Sequence, residues 1–551
     1  MSVSGGGSGK TDGGGVVANS ATLYSAAPSV YKVTPTTDDS MVPTGSGGYN
    51  FTAALADEAA TFRLMTDIAG LIEPGDLITL SGDLGAGKTT FARALIRHLA
   101  SDDSIEVPSP TFTLIQHYAL PRFNLIHVDL YRLTSRAELT ELGFEDAPEG
   151  TVTVVEWPDR AEGLLPVNRL NIELTLAPQC GQSARNACIT GFGSFVPRAE
   201  RIFAIRNFLN RSGFGEAERR RIQGDASTRS YERLTREGAT YILMNSPKRP
   251  DGPPIRNGKS YSAIAHLAES VTPFVAMTQA LRGLGFSAPA VFAGDRGAGL
   301  LVIEDLGDEL IVDGDPAAPI EARYEVATDL LAELHRSHLG DILTVEAGVE
   351  YRMPRYDMDA LLIEAELLLD WYLPKLEVRV TDAKRNAYRI LWRDALLPVT
   401  DGTQTWVLRD FHSPNLLWLP EREGTGRIGL LDFQDAMMGP AAYDVASLLQ
   451  DARVNVPETM EIALLSRYTR ARLAASAAFD APRFARAYAT LAAQRASKIL
   501  GIFTRLERRD RKPQYLRHLP RVWGYLQRSL AHPDLAPLAA WYRANVPPLK
   551  V

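Results

Sequence analysis

The sequence predicts two consecutive domains of mixed helix and strand: an α/β domain with a central sheet, then a two-lobed α+β domain. The first is predicted from an apolar run, Leu77 to Leu80, that leads into the glycine-rich loop Gly82 to Thr89 and then into a helical pattern. The second is predicted from two short strand-like runs between Thr405 and Asp435, each followed by a polar loop. The chain of 551 residues has room for roughly three to four domain-sized units.

Composition favours a globular protein in a reducing compartment. Hydrophobic residues make up 45% of the chain and charged residues 23%, and the net charge of −7 does not favour nucleic-acid binding through bulk attraction. The two cysteines, Cys180 and Cys188, are too few for a disulfide framework and lack neighbouring histidines for a zinc site. Acidic residues interrupt the best membrane-span candidate, Ala360 to Leu373. We therefore expect a cytoplasmic protein with no membrane partner.

Five segments are predicted along the chain. Residues 1–50 are rich in Gly, Ser and Thr and are predicted to be disordered, and the loop-like string Gly7 to Thr11 is a chance match because no strand precedes it. The α/β domain is predicted over residues 51–180. Residues 181–198 show no lasting period and are predicted to be a linker. The two lobes of the second domain are predicted over 199–305 and 306–551.

The glycine-rich loop has the spacing of a phosphate-binding loop: glycine, four residues, glycine, lysine and threonine. Its glycines let the backbone turn so that N–H groups point at phosphate oxygens, and the following helix adds the partial positive charge of its N-terminus. We expect Lys88 to reach the β- and γ-phosphates and the Thr89 hydroxyl to ligate Mg²⁺. The predicted nucleotide-binding residues of the loop are Gly82, Asp83, Leu84, Gly85, Ala86, Gly87, Lys88 and Thr89.

Two further strand-like runs of this domain end in carboxylates. Leu125 to Asp129 ends in Asp129, and Val152 to Glu156 ends in Glu156. Acids at the carboxyl ends of strands can hold Mg²⁺ and orient water beside a bound triphosphate. The phosphate loop and the two acids together therefore predict one nucleotide site.

The order of these motifs resembles the TsaE family, bacterial ATPases needed for threonylcarbamoyl-adenosine modification of tRNA. The resemblance rests on the phosphate loop, on Ser109 to Leu114, on His127 to Leu133 and on Glu156-Trp157-Pro158. It implies that members reset threonylcarbamoyl transferase subunits of the TsaB/TsaD type by hydrolysing ATP, so any contact with tRNA is indirect.

The same resemblance assigns roles to single residues. It implies that Glu156 completes the metal site with Thr89, that Asp129 serves hydrolysis, and that Glu58 and Thr61 contact the nucleotide base. Ser109 to Thr113 would form a switch-like loop near the γ-phosphate. A stand-alone nucleotide kinase is the alternative for this half, although no insertion that could build an acceptor pocket is evident.

A second nucleotide signature lies late in the chain. Asp410 is followed five positions later by Asn415, and a strand-like run then ends at Asp432-Phe433. This is the arrangement of a kinase, in which one acid accepts the proton of a substrate hydroxyl and an asparagine and a second acid hold Mg²⁺. We therefore predict Asp410 as catalytic and Asn415 and Asp432 as metal ligands.

This half resembles the aminoglycoside phosphotransferase superfamily, a small-molecule branch of the protein-kinase fold. Gly439-Pro440 and Tyr443-Asp444 continue the resemblance, which implies that Asp444 is a buried acid supporting the catalytic loop. Gly224 to Tyr231 resembles the nucleotide-covering turn of the branch that phosphorylates amino sugars at the anomeric position. Ile303 to Gly307 would be the hinge between the lobes, with the backbone at Glu304 meeting adenine.

The second half departs from the superfamily pattern at three places. Leu408 stands where the catalytic loop usually has histidine, and Gln434 replaces the glycine of Asp-Phe-Gly. The strand-like run Tyr241 to Met244 lacks the lysine that pairs with phosphate in kinases, and nearby Lys248 is an unconvincing replacement. The last departure puts phosphate anchoring in question.

The sequence thus predicts a bifunctional chain: a P-loop NTPase domain followed by a two-lobed protein-kinase-like α+β domain, both using ATP and Mg²⁺. The first would serve tRNA modification. The second would phosphorylate a small sugar, N-acetylmuramate or N-acetylglucosamine. An antibiotic-modifying kinase and a catalytically silent regulatory module stay open as alternatives for the second half.

Overall fold

The structure of the chain, a computed structural model, consists of two units, residues 1–216 and residues 217–551. It describes residues 32–35, 48–133, 138, 148–161, 163–222, 229–248, 251–337 and 339–547. Every helix within these ranges is too short or too polar to span a membrane.

The first unit is an eight-stranded mixed sheet with helices packed on it. Its strands are β1 (Lys32–Pro35), β2 (Tyr49–Leu55), β3 (Leu77–Ser81), β4 (Ile115–Ala119), β5 (Asn124–Asp129), β6 (Val152–Glu156), β7 (Arg169–Leu176) and β8 (Arg185–Phe192). Its longer helices are α1 (Glu58–Ala69), α2 (Lys88–Ala100) and α3 (Val196–Arg211). The strand order is β1-β2-β8-β7-β3-β6-β5-β4.

The centre of this sheet is parallel, and this places the predicted site. Strand β3 pairs in parallel with β6 and β7, and β6 pairs in parallel with β5. The loop after β3 therefore shares the carboxyl edge of the sheet with the ends of β5 and β6, where Asp129 is in register with Glu156. Strand β3 is buried on both faces up to its last residue, as expected for a central parallel strand.

Three predicted segment boundaries differ from the structure. Strand β1 lies within residues 1–50, which were predicted to be disordered, and pairs with β2. Strand β8 lies within residues 181–198, predicted as a linker, and pairs with β2 and β7. Helix α3, predicted to open the second domain, packs on β2 and β8, and its Arg206 forms a buried ion pair with Asp67 of α1. The two strands extend the sheet of the first unit, and α3 covers part of its apolar surface.

The second unit begins with a five-stranded antiparallel sheet in the order β12-β13-β11-β10-β9. Its strands are β9 (Glu218–Ile222), β10 (Ser230–Arg236), β11 (Ala239–Asn245), β12 (Val291–Asp295) and β13 (Leu300–Glu304). Helices α4 (Tyr261–Ile264) and α5 (Thr272–Gly283) lie between β11 and β12 in the chain. This part corresponds to the predicted first lobe.

The rest of the second unit is mainly helical. Its helices are α6 (Glu321–Arg336), α7 (Met358–Ala365), a π-helical turn (Leu368–Tyr372), α8 (Leu373–Lys375), α9 (Asp382–Thr400), α10 (Ala442–Leu449), α11 (Glu458–Ala475), α12 (Ala481–Asp510), α13 (Leu519–Leu530) and α14 (Ala536–Asn545). The remaining strands form four antiparallel pairs: β14 (Val312–Asp313) with β15 (Ala318–Pro319), β16 (Ile342–Glu346) with β17 (Val349–Arg352), β18 (Thr405–Val407) with β21 (Met437–Gly439), and β19 (Leu416–Trp418) with β20 (Ile428–Leu430).

Two of these small pairs position the predicted kinase residues. Asp410 follows β18, Asn415 precedes β19, and Asp432 follows β20. The long helix α12 crosses beside them and is buried through its middle, from Thr490 to Gly501. At Gly501 an added Cβ would lie 2.4 Å from the carbonyl carbon of Leu367, so this close packing excludes a side chain there.

Candidate active sites

The phosphate loop of the first unit adopts the conformation that its glycines allow. Gly82, Gly85 and Gly87 have φ values of +127°, +81° and +107°, which side-chain-bearing residues rarely adopt. A Cβ at Gly82 would lie 2.1 Å from the carbonyl oxygen of Leu174 on β7. The loop therefore turns tightly against the sheet and delivers the chain into the N-terminus of α2.

Lys88 is held inside this loop. It is 5% exposed, and its ammonium donates hydrogen bonds to the carbonyl oxygens of Gly82 (2.7 Å) and Asp83 (2.9 Å). It also lies 3.6 Å from the ring centre of Trp157, a cation–π contact. Burial lowers the pKa of Lys88, against the opposing charges of Glu156 and Asp129. The lysine is thus placed at the loop, close to both acids.

Glu156 joins the loop helix to the sheet. One of its carboxylate oxygens accepts a hydrogen bond from Thr89 Oγ1 (2.8 Å), and the other lies 2.9 Å from His127 Nε2. Both His127 and Glu156 are buried, so the histidine fixes the orientation of the carboxylate. This role of His127 was not predictable from the sequence, because its contact with Glu156 depends on the parallel register of β5 and β6.

Asp129 is bound by the loop that was predicted to act as a switch. Its Oδ2 accepts a hydrogen bond from Thr111 Oγ1 (2.6 Å), and its Oδ1 accepts one from the Tyr131 N–H (2.9 Å). Ser109 Oγ lies 2.7 Å from the same threonine hydroxyl. A change in the position of residues 109–111 would therefore change the environment of the predicted hydrolytic acid.

The two residues predicted to contact the nucleotide base are not bonded to the phosphate loop. Glu58 is exposed in the first turn of α1, and the Thr61 hydroxyl donates to the carbonyl oxygen of Asp57. In the part of the chain that the structure describes, neither side chain forms a hydrogen bond or ion pair with the phosphate loop. Arg185 does: its Nε donates to the Ala86 carbonyl oxygen (3.1 Å) from β8. Sequence analysis missed Arg185 because it falls in the segment predicted as a linker.

In the second unit, Asp444 organises the catalytic loop. Its side chain is fully buried, and its two oxygens accept hydrogen bonds from the backbone N–H groups of Leu408 (2.6 Å) and Arg409 (2.8 Å). Arg409 has a φ of +70°, a left-handed conformation that is unfavourable for a residue with a side chain. The carboxylate therefore compensates for a strained turn immediately before Asp410.

The three predicted kinase residues lie around this turn. The Asn415 side-chain amide donates to the backbone oxygen of Asp410 (3.0 Å). Asp432, whose φ is +56°, accepts hydrogen bonds from Gln434 Nε2 (2.8 Å) and from the Arg229 guanidinium (3.2 Å). Gln434, one of the departures from the superfamily pattern, thus supports the acid that it follows.

The pKa values of Asp410 and Asp432 are shifted in opposite directions. Burial, and then the negative charge of Asp410, raise the pKa of Asp432 to about 6. Burial alone would raise the pKa of Asp410 as well, but the positive charge of Lys498, together with smaller contributions that include Arg409 and Arg495, lowers it. Asp410 is therefore ionised at neutral pH, as an acceptor of a hydroxyl proton must be.

Both sites fit Mg²⁺ held jointly with a nucleotide. Each presents hard oxygen donors: Thr89 and Glu156 in the first unit, Asn415 and Asp432 in the second. The described residues contain no group of three or more His, Cys, Asp or Glu side chains that could hold a metal alone. Mg²⁺ commonly binds one or two carboxylates and completes its shell with phosphate oxygens and water. The crowding of Asp432 by Asp410 also favours a cation there.

The hinge after β13 is fixed by the side chain of Glu304. Its carboxylate accepts hydrogen bonds from Arg282 (3.1 Å), from Arg422 (2.8 Å) and from the Ala290 N–H (3.0 Å). Arg422 belongs to the helical lobe, so this carboxylate ties the two lobes of the second unit together. The Glu304 backbone N–H donates to the Ala290 carbonyl oxygen (2.8 Å), and the adenine contact at Glu304 stays a prediction.

The structure bears on the residues that could anchor phosphate in the second unit. Residues 223–228, which include most of the predicted nucleotide-covering turn, lie outside the described residues. Lys248 is exposed, while Arg229 reaches Asp432 from the start of β10. Arg229, which belongs to the predicted nucleotide-covering turn, is thus a cation that the structure brings to the predicted phosphate site. Its contact with Asp432 was not predicted because the two residues are far apart in the chain.

A cavity of about 120 Å³ adjoins Asp410 in the helical lobe. Its lining includes Asp410, His412, Asp451, Arg453, Arg495 and Lys498. The predicted metal ligands and Arg229 are not among the lining residues. The cavity is therefore lined by Asp410 but by none of the residues predicted to hold magnesium or phosphate.

The folds and sites define a P-loop ATPase unit followed by a kinase-like phosphotransferase unit. Residues 55–185 match the family described as threonylcarbamoyl adenosine biosynthesis protein TsaE, and residues 218–488 match the phosphotransferase enzyme family. The chain belongs to both families, as a fusion of a TsaE unit with a kinase related to N-acetylmuramate/N-acetylglucosamine kinases. The predicted fold class and the predicted resemblance are confirmed.

Individual relatives match each unit over most of their own length. The N-acetylmuramate/N-acetylglucosamine kinase of Caulobacter vibrioides is 38% identical, over 63% of this chain and 98% of the relative. That of Pseudomonas aeruginosa is 32% identical, over 59% of this chain and 89% of the relative. The tRNA threonylcarbamoyladenosine biosynthesis protein TsaE of Rickettsia felis is 41% identical, over 22% of this chain and 71% of the relative.

Proposed function

We propose that the second unit transfers the γ-phosphoryl group of ATP to a hydroxyl of an N-acetylated amino sugar, and that the first hydrolyses ATP in support of threonylcarbamoyl-adenosine formation in tRNA. The observation that carries the kinase proposal is the position of Asp410, which lines a cavity and whose backbone is bonded by Asn415 of the predicted metal site. Relatives named as N-acetylmuramate/N-acetylglucosamine kinases support the choice of substrate.

The chain's own residues support a direct displacement in the second unit. Asp410 accepts the proton of the sugar hydroxyl while the hydroxyl oxygen of the sugar attacks the γ-phosphorus of ATP, and ADP leaves. Asn415 holds the backbone of Asp410, and Asp444 holds the turn before it, so the carboxylate is fixed before substrate arrives. Magnesium bound with the nucleotide at Asn415 and Asp432 would neutralise phosphate charge. Arg229 would supply the cation that the absent lysine provides elsewhere.

The cavity disfavours the antibiotic-kinase alternative. Arg453, Arg495 and Lys498 line it, against the acids Asp410 and Asp451, and Asp451 accepts hydrogen bonds from the Ser413 and Arg453 backbone N–H groups. Aminoglycosides are polycations and need an acidic cleft. The intact acids at 410 and 432 and the organised loop disfavour a silent module.

The first unit has a complete set of groups for ATP hydrolysis. Lys88 and the loop N–H groups would bind phosphate, and Thr89 with Glu156 would hold Mg²⁺. Asp129 would orient the attacking water while residues 109–111 follow the state of the γ-phosphate. We propose threonylcarbamoyl transferase subunits as the partners of this unit and the cytoplasm as its location. Glu58 and Thr61 remain the proposed contacts to the base.

A single set of assays tests both activities on the full chain. Purified protein is incubated with ATP, Mg²⁺ and either N-acetylmuramate, N-acetylglucosamine or kanamycin, and phosphorus NMR locates the product. We expect a phosphorylated sugar from wild-type protein and at least a roughly 100-fold slower reaction from Asp410→Asn. Phosphorylation of kanamycin with no turnover of either sugar would contradict the sugar-kinase proposal.

The ATPase proposal is tested in cells that lack their own TsaE. The full chain should restore threonylcarbamoyl-adenosine in tRNA, measured by mass spectrometry of nucleosides, and Lys88→Ala should not. Asp410→Asn is the matched control and should restore the modification like wild type. A well-expressed wild-type chain that fails to restore it would count against the assignment.

A further inference from the structure

Arg495 is a largely buried cation for which the described residues provide no hydrogen-bonding partner. It lies in the middle of α12 and is 6% exposed, yet no hydrogen bond or ion pair joins it to any residue that the structure describes. The other buried cations nearby are paired: Lys498 with Glu364 (2.9 Å) and Tyr443 (3.2 Å), and Arg409 with Glu364. Asp410 and Asp451 line the same cavity, but neither forms a hydrogen bond or ion pair with Arg495. A largely buried guanidinium whose donors are unused is unfavourable, so this arrangement indicates a ligand that accepts hydrogen bonds from it.

The position of Arg495 shows which part of a substrate could reach it. It lines the cavity beside Asp410, and its charge contributes to lowering the pKa values of Asp410 and His412. None of Asn415, Asp432 and Arg229 lines this cavity. The group that meets Arg495 therefore belongs to the acceptor side of the reaction and not to the nucleotide.

The surroundings suit a single anionic group. Ile499, Ile502 and Phe503 line the cavity on the same helix and limit water around the guanidinium. Burial lowers the pKa of His412 to about 4, with Arg453 and Arg495 adding to the effect, so His412 is neutral at pH 7. The planar guanidinium favours two parallel hydrogen bonds to a carboxylate.

We propose that Arg495 binds the carboxylate of an acidic N-acetylated amino sugar and so sets the preference of this enzyme for N-acetylmuramate over N-acetylglucosamine. The proposal rests on the sugar-kinase function proposed above. N-acetylmuramate carries a carboxylate on a lactyl ether, whereas N-acetylglucosamine is neutral and has a hydroxyl at the same place. The neutral sugar would leave Arg495 without its counter-charge, while the hydroxyl that reacts at Asp410 is common to both.

The test compares the two sugars in one assay. Wild-type chain, Arg495→Gln and Arg495→Lys are assayed at saturating Mg·ATP for kcat and KM with each sugar. We expect Arg495→Gln to raise KM for N-acetylmuramate about 10- to 100-fold, the usual effect of losing a charged hydrogen-bonded pair, and to change KM for N-acetylglucosamine less than about threefold. Arg495→Lys should recover part of the loss. Arg508→Gln, an exposed position on the same helix, is the matched control and should behave like wild type.

Each remaining outcome has a distinct meaning. An equal loss of kcat with both sugars in a folded Arg495→Gln protein would overturn the proposal, because it would place Arg495 on the transferred phosphoryl group or in a structural role. An unchanged KM for N-acetylmuramate would overturn it too. If Arg495→Gln does not fold, Arg495→Lys decides, because its KM should still rise only for the acidic sugar. A wild-type chain that phosphorylates neither sugar would instead refute the proposed function.

Discussion

Removing the Asp444 carboxylate should disable phosphoryl transfer, although the proposed mechanism places Asp444 on neither nucleotide nor sugar. The carboxylate is fully buried and accepts two backbone hydrogen bonds, from Leu408 and Arg409. Each bond to a charged acceptor contributes about 1.5–3 kcal/mol, so their sum is about 3–6 kcal/mol. The left-handed turn at Arg409 costs about 1–2 kcal/mol, which is less than this sum. Without the carboxylate the turn should relax and move Asp410.

A displacement of about 1 Å at a reacting group can lower the rate about 100-fold. We therefore expect Asp444→Ala to lower kcat for sugar phosphorylation about 100-fold, with KM for ATP changed less than about threefold. Asp444→Asn keeps one acceptor and should give an intermediate kcat. The assay follows ADP release at saturating sugar, at a temperature where circular dichroism shows the variants folded.

The matched control is Glu461→Gln. Glu461 is also a buried acid of the helical lobe, but it bonds to Gln450, Tyr488 and Arg528, away from the catalytic loop. Glu461→Gln should lower the midpoint of thermal unfolding and leave kcat unchanged. A folded Asp444→Ala protein with near-normal kcat would refute the argument that this carboxylate holds the turn.

Three further predictions concern other parts of the chain. Gly82→Ala should abolish ATP hydrolysis by the first unit, because the new Cβ would clash with a backbone oxygen, and should leave the rate of sugar phosphorylation within about twofold. Gly85→Ala, whose Cβ meets no atom within 4 Å, should have a smaller effect in the same two assays. Arg229→Gln should raise KM for ATP in sugar phosphorylation about tenfold or more, with Arg229→Lys in between, and an unchanged KM would exclude Arg229 as the phosphate anchor. Burial, and then the positive charges of Arg521 and Arg517, lower the pKa of His518 to about 4. Because the unfolded chain then binds a proton more readily than the folded protein, the free energy of unfolding should fall as the pH drops from about 6.5 towards 4. Urea unfolding followed by tryptophan fluorescence should show this fall in wild type and less of it in His518→Gln; equal slopes would contradict it.

Residues that belong to a recognisable motif were predicted from the sequence, whereas contacts that only the tertiary structure creates were missed. The phosphate loop, Asp129, Glu156 and the 410–432 segment were predictable because a motif fixes their local geometry. The contacts of Arg185, Arg229 and Arg495 were not predictable, because each of these residues reaches its site from a distant element.

The misplaced linker has a different cause. Scattered Gly, Ser and Pro suggested a loop over 181–198, yet Ala187, Ile189 and Gly191 alternate with exposed or half-buried residues and form the inward face of β8. The period-two signal was present but short. The contribution of α3 to the first unit could not be predicted, because its buried partner Asp67 lies on a helix far away in the sequence.

The position of Lys88 has a consequence for how the first unit responds to nucleotide. Its ammonium already has two carbonyl oxygens and an indole ring as partners, so phosphate must replace contacts rather than fill a gap. The gain on binding is then a difference between two sets of contacts, and only a ligand with enough negative charge near the β- and γ-positions makes that difference favourable. Such a loop would discriminate among ATP, ADP and AMP more sharply than its affinity for ATP alone would suggest.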